Sequence, residues 1–260
     1  MFSDIQIDAY FKRLNFKGQV YSSLEFLNEL QELHYMNIPY ENFDILNGLA
    51  LSLEPEPIYQ KIICNHRGGY CFELNGLYFE LLTSLGFEVT NHYARFMLNR
   101  TELIPARSHR ILKIRCNNCF YIVDVGVYSE SPRIALELGE NIVQYDGFAW
   151  YKFEKSADLG WILLQKRKNT EWKRFYSFTE GIYFPSDFKQ CSFFYETSSE
   201  SRFNKNLLAA IRTENGHIAI KDTELTITEK EKTVISTLHK EELSKTLSER
   251  FHITFEQITH

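Results

Sequence analysis

The run Arg67-Gly68-Gly69-Tyr70-Cys71-Phe72-Glu73-Leu74-Asn75-Gly76 places a cysteine directly after a paired-glycine turn and before a periodic apolar stretch. The glycines allow a tight backbone, and the first N–H groups of the helix that follows have no intrahelical acceptor. That end of a helix carries partial positive charge. With a neighbouring cation it lowers a thiol's pKa and makes the thiolate available as a nucleophile. An isolated cysteine is more often only a small buried apolar residue, so the chemistry rests on partners: an imidazole to take the proton and a carboxylate to orient that imidazole.

His109 and Asp124 meet that requirement. His109 heads the strand-like segment His109-Arg110-Ile111-Leu112, and Asp124 sits in the apolar run Tyr121-Ile122-Val123-Asp124-Val125-Gly126. A carboxylate there is costly unless it is paired. If Asn117-Asn118 forms a two-residue hairpin turn, Asp124 faces Ile111 across the ladder. His109 then projects from the same face on a diagonal, roughly 7–8 Å away between backbones, which the two side chains can bridge. A register slip of one residue would separate them. His66 is nearer to Cys71 in sequence but precedes the glycine turn without a carboxylate to orient it, and is read as structural.

The elements that position these residues follow from periodicity. Leu24, Leu27, Leu30 and Leu33 keep near-helical spacing after a cap at Ser22 or Ser23, ending at Ile38-Pro39. Leu74, Leu77, Tyr78, Leu81 and Leu85 define a second helix, with Gly86 at its C-terminal end. Between about Val89 and Phe178 the pattern becomes short β-rich runs separated by Asn, Asp and Gly, as in an antiparallel sheet or small barrel. The last third reads as an α+β appendage. It contains strands at 206–212 and 217–228, a helix from about Ser236, and a Lys/Glu-rich stretch from Thr228 to Glu249 taken as a solvated helix face. The resulting division is 1–88, 89–190 and 191–260.

Hydrophobic residues make up 44% and charged residues 24% of the 260, the composition of a globular chain. The net charge of -5, without a basic stripe, argues against a nucleic-acid binder. No apolar run is long enough to span a bilayer, and the charged first residues do not form a secretion signal. Five irregularly spaced cysteines suit reduced thiols, so a cytoplasmic location is expected. Cys116 and Cys119 form a CxxC, but no second ligand pair completes a zinc site and the motif flanks a hairpin turn, so no metal is expected. Oligomeric state is left open.

Together, RGGYCFELNGLY, the upstream IPYENFDI, the downstream SHRILKI and VDVGV, and YSFT followed by SRF resemble the arylamine N-acetyltransferases along most of the chain. The resemblance implies an α+β fold: an N-terminal helical bundle (1–88) carrying the nucleophile, a central antiparallel β-barrel (89–190) carrying His and Asp, and a C-terminal α/β lid (191–260), on a cysteine-protease-like core. It also implies a triad of Cys71, His109 and Asp124, and ping-pong transfer from acetyl-CoA through an acetyl-cysteine to an arylamine or arylhydrazine. The oxyanion hole would use the Cys71 N–H as one donor.

Further family roles fall on a bracing pair, Arg67 and Glu41, on cofactor contacts Arg107, Ser108 and Ser201, and on pocket residues Phe96, Val127 and Phe203. The chain departs from the family at Val127, where a phenylalanine is usual. It departs again at Ser198-Ser199-Glu200-Ser201-Arg202-Phe203, where the usual proline is replaced. The alternative on the same architecture is a cysteine hydrolase or amidase, with water replacing the amine.

Overall fold

The computed structural model describes residues 1–99, 104–230 and 232–253. The part of the C-terminal third at 254–260, and residue 231 in the Lys/Glu-rich stretch, lie outside the described residues. The chain begins with α1 (Asp4–Arg13), α2 (Leu24–Asn37), the two-residue strand β1 (Tyr40–Glu41), α3 (Phe43–Leu46), α4 (Pro55–Tyr59) and α5 (Cys71–Ser84). The Ser23 hydroxyl caps α2 by accepting the Phe26 N–H at 3.2 Å. Gly86, with φ +85°, releases the chain after α5. Between α4 and α5 a single wide turn, Gln60–Cys64, carries Lys61 toward the start of α5.

Eight antiparallel strands follow. They are β2 (Glu88–Phe96), β3 (His109–Cys116), β4 (Cys119–Val123), β5 (Leu136–Glu137), β6 (Gln144–Tyr145), β7 (Trp150–Ser156), β8 (Gly160–Lys166) and β9 (Lys173–Phe178), in spatial order β5-β4-β3-β2-β9-β8-β7-β6. The two edges meet through one side chain. The Gln144 amide donates to the Glu137 carbonyl at 3.0 Å and accepts the Glu137 N–H at 2.7 Å, so the sheet is a nearly closed barrel.

Strand β3 is buried on both faces. Ile111 packs inside the barrel with Phe153, Leu163 and Phe175, while Leu112 and Ile114 join Leu74, Leu77 and Leu81 of the helical core. Burial of these alternating side chains holds α5 against the barrel.

The chain then forms α6 (Lys189–Thr197), β10 (Leu208–Thr213), β11 (Gly216–Lys221), β12 (Glu224–Glu229), β13 (Lys232–Thr237) and α7 (Lys240–Phe251). The second sheet runs β1-β10-β11-β12-β13, taking its first strand from the helical segment. Leu247 and Phe251 of α7 pack on Ile211, Ile218 and Ile220.

Two sequence expectations change here. The strand expected at 217–228 is two strands, because Asp222, with φ +55°, makes a hairpin turn. The Lys/Glu-rich stretch is not one helix. Its Lys232–Thr237 part is the exposed edge strand β13, where β-branched Thr233, Val234 and Ile235 outweigh the flanking charges, and the helix starts at Lys240 instead of near Ser236. Helix α6 lies where the sequence reading gave no element. Phe193 and Phe194 lie exposed on it and obscure its amphipathic pattern.

Candidate active site

Cys71 is the first residue of α5, and its N-cap is Tyr70 in extended conformation. The preceding loop is stitched to β1: Gly69 pairs with Tyr40 in parallel fashion, and its carbonyl accepts the Glu41 N–H at 2.9 Å. The Glu73 carboxylate turns back to accept the Tyr70 N–H at 3.1 Å, a capping-box contact that fixes the first turn. The nucleophile's loop is thus tied to both sheet and helix.

Beneath it lies a network of three acids and two cations. Arg67 Nη2 is 2.8 Å from both Glu41 Oε1 and Asp44 Oδ1, and Lys61 Nζ is 2.7 Å from Asp44 and 2.8 Å from Glu73. Burial lowers Lys61, but Glu73, Glu41 and Asp44 outweigh it and hold the ammonium above its ordinary pKa. Burial raises Asp44, yet Lys61 and Arg67 keep its carboxyl below the usual range. Removing one member would leave a buried charge unpaired. Lys61 and Asp44 are absent from the sequence reading, since nothing in their spacing links them to Cys71.

The β3–β4 hairpin has the expected register: Leu112 pairs with Val123 and Cys116 with Cys119, and Asn117 and Asn118 both take positive φ. His109 Nε2 consequently lies 2.7 Å from Asp124 Oδ2, with the imidazole N–H donating and both side chains buried. The other carboxylate oxygen accepts the Gly126 N–H and the Asn75 amide, each at 2.9 Å. Asn75 also donates to the Arg110 carbonyl and accepts the Val125 N–H. Tyr35 donates its hydroxyl to the Asp124 carbonyl.

Asn75 stands one helical turn after Cys71 on the same face of α5, so one helix carries both the cysteine and the anchor of Asp124. A buried polar residue four positions after the cysteine is the signal that would have revealed it.

Gly126 closes the arrangement. A Cβ there would lie 2.8 Å from Cys71 Cα and 2.6 Å from Asn75 Nδ2, so only glycine lets the loop after β4 reach the cysteine. Cys71 and His109 line one cavity of about 250 Å³ with Phe96, Ser108, Val127 and Phe203. Arg107 instead donates to Thr179 Oγ1 at 3.2 Å, and the buried Ser201 hydroxyl accepts the Phe203 N–H at 3.2 Å. From α6, Tyr195 donates to the Ser108 carbonyl at 3.1 Å and packs on Phe203 at 4.6 Å between ring centroids. Ser192 meets the Tyr70 hydroxyl at 2.6 Å.

Burial pushes the Cys71 thiol well above its ordinary pKa, and the Cys191 thiol and Asp124 add to that. The backbone N–H groups of Arg110 and Phe72 oppose them. The sequence expectation of a depressed thiol pKa thus meets a desolvation cost that position at a helix start does not remove. A thiolate here requires a proton acceptor within the same cavity, and an imidazole already oriented by a carboxylate is of that kind.

A family model described as N-acetyltransferase matches residues 23–259. The chain is 32% identical to an arylamine N-acetyltransferase of Mycobacterium tuberculosis over 98% of its own length and 91% of the relative's. Among solved structures, the arylamine N-acetyltransferase from Salmonella typhimurium superposes with a TM-score of 0.90 at 27% identity, covering 95% of this chain and 91% of that one. That of Mycobacterium marinum in complex with CoA superposes with a TM-score of 0.91 at 28% identity, covering 98% and 95%.

Proposed function

The chain belongs to the arylamine N-acetyltransferase family, and from that premise we propose that Cys71, His109 and Asp124 are the catalytic triad of its acetyl transfer. It is an acyltransferase with acetyl-CoA as donor. The observation that carries the assignment is the meeting, in the lining of one cavity, of the buried Cys71 thiol with a buried imidazole hydrogen-bonded to Asp124.

The proton of Cys71 passes to His109, and Asp124 stabilises the imidazolium. The thiolate attacks the thioester carbonyl, forming the S–C bond of a tetrahedral intermediate whose oxyanion is held by donors that include the Cys71 N–H at the helix start. Collapse expels the CoA thiolate, which takes the proton from His109 and leaves as free CoA. An arylamine or arylhydrazine then attacks the acetyl-cysteine while His109 accepts the N–H proton. Collapse yields the amide and restores the thiolate–imidazolium pair.

In this reading Phe96, Val127 and Phe203 shape the acceptor slot, and the smaller Val127 widens it relative to relatives with phenylalanine. The Arg67–Glu41 pair braces the nucleophile loop. The bundle and barrel together act as a cysteine-protease-like core, and the segment from α6 onward serves as a lid that keeps water from the acyl-enzyme. No helix among the described residues is long and apolar enough to cross a membrane, and the free cysteines fit a reducing cytoplasm.

Initial rates measured over a matrix of acetyl-CoA and aniline concentrations test the order of steps. Parallel double-reciprocal lines are expected. Intersecting lines would require a ternary complex and remove the acetyl-cysteine from the mechanism.

A further inference from the structure

Arg110 follows His109 in β3 and carries the bulkiest fully buried side chain among the described residues. No carboxylate of those residues forms an ion pair with it. Its Nε donates to Asn91 Oδ1 at 2.8 Å, its Nη1 donates to the Phe72 carbonyl at 3.4 Å, and its guanidinium lies over the Phe188 and Phe79 rings at 4.8 and 5.7 Å. Neutral acceptors and ring faces hold it. Glu80, which acts on it from a distance, is itself engaged by the N-terminal amine at 3.3 Å. A buried cation without an acid is costly, and burial lowers the Arg110 guanidinium to about 10, which leaves it charged at neutral pH.

Gly76 makes room for this cation. It stands inside α5, where glycine is a poor helix former, and a Cβ there would lie 2.7 Å from Arg110 Nη1. The missing side chain is what seats the guanidinium beneath the start of α5. The backbone of the same arginine turns to the nucleophile: its carbonyl accepts the Asn75 amide at 2.6 Å, and its N–H is directed at the Cys71 sulfur. Arg110 thus meets α5 at Cys71, Phe72, Asn75 and Gly76.

Burial and acids oppose a thiolate at Cys71. Asp124, the Cys191 thiol and the hydroxyls of Tyr40, Tyr70, Tyr93 and Tyr195 face it, and each is neutral or negative. The cations that face it are His109, Arg110 and, in the cavity lining, Arg202. His109 points to the barrel side of β3, among Phe96 and Tyr176, where Asp124 balances its charge, and Arg202 is open to water. Arg110 points to the opposite, helical side and is dry, so its charge is screened least.

We propose that Arg110, seated through Gly76, is a positioning residue whose fixed buried charge favours the thiolate of Cys71 and steadies the helix start that carries it. The proposal rests on Cys71 acting as the nucleophile.

The test is the pH dependence of iodoacetamide labelling at Cys71, read by peptide mapping on the full chain without acetyl-CoA. Arg110→Met, which keeps bulk and removes charge, should move the labelling midpoint up by about one pH unit and slow labelling at neutral pH about tenfold. Arg110→Lys, which restores a charge, should recover most of that rate. Gly76→Ala pushes the guanidinium aside without removing it and should move the midpoint in the same direction by less. It carries the test if circular dichroism shows that Arg110→Met does not fold. A folded Arg110→Met with the wild-type midpoint overturns the proposal, and so does a wild-type midpoint in Gly76→Ala. Equal losses in the Met and Lys variants overturn it as well, since they mark a role in packing alone. Labelling needs no acetyl-CoA, so failure of the transferase reading would appear separately, as wild-type enzyme that is never acetylated on Cys71.

Discussion

The cysteine cavity adjoins, at Ser129 and Glu130, a basic cleft lined by Arg133, Arg167, Lys168, Arg212 and Lys230, yet the two are built on opposite terms. Around Cys71, charges are few, buried and individually held: His109 on Asp124, Asp124 on Asn75 and Gly126, Arg67 on Glu41 and Asp44, Arg110 on Asn91 and the Phe72 carbonyl. In the cleft, Arg133 meets Glu32 and Arg167 meets Glu130, and Arg167, Lys168 and Lys230 are open to water. Chemistry at a single atom needs fixed geometry in a dry site. Charges in water are screened and fix little geometry. Substitutions in the first region should therefore act through the acetylation step, and substitutions in the second should leave that step close to wild type.

The largest effect is expected from Cys71→Ser, which should abolish acetyl transfer while leaving the thermal unfolding curve within a few degrees of wild type. Retained transfer would place the nucleophile elsewhere. Next comes His109→Gln. With burial holding the Cys71 thiol high and no imidazole to take its proton, iodoacetamide labelling at neutral pH should fall about a hundredfold and then climb about tenfold per pH unit into the alkaline range. In the wild type, Cys71 should label faster at neutral pH than Cys64, Cys116, Cys119 and Cys191. A variant profile identical to wild type would detach His109 from the thiol.

Gly126→Ala tests fixed geometry directly. Its methyl group would press on Cys71 Cα and Asn75, and acetyl transfer should drop about tenfold to a hundredfold, with kcat falling more than the donor's KM rises. The smallest effect should come from salt. Raising ionic strength from about 0.01 to 0.15 M screens the exposed turn cations but not the buried charges, so the rate at which acetylated enzyme reacts with aniline should change less than twofold.

The chemistry at the barrel was legible because it is local. Asn117-Asn118 sets one hairpin, and the register of that hairpin puts His109 beside Asp124. The helices capped by Ser23 and ended at Gly86 were equally readable, since cap and periodicity agree. The meeting of Cys71 with that hairpin is not local. It depends on α5 packing against β3 and on the absence of a side chain at Gly126, and only the family resemblance pointed to it in advance. The basic cleft was invisible for the same reason: apart from the adjacent Arg167 and Lys168, its cations Arg133, Arg212 and Lys230 are widely separated in sequence. In the last third, Lys and Glu flanking β13 masked a strand whose pairing with β12 decides its conformation.

The most direct measurement is intact-protein mass spectrometry after mixing the enzyme with acetyl-CoA alone, followed by addition of an aniline. A gain of one acetyl group, located on Cys71 by peptide mapping and lost as the N-acetyl product forms, is the expected result. An adduct on another residue, or one that disappears at the same rate with or without the amine, would contradict the transferase mechanism, the latter by making water the acceptor.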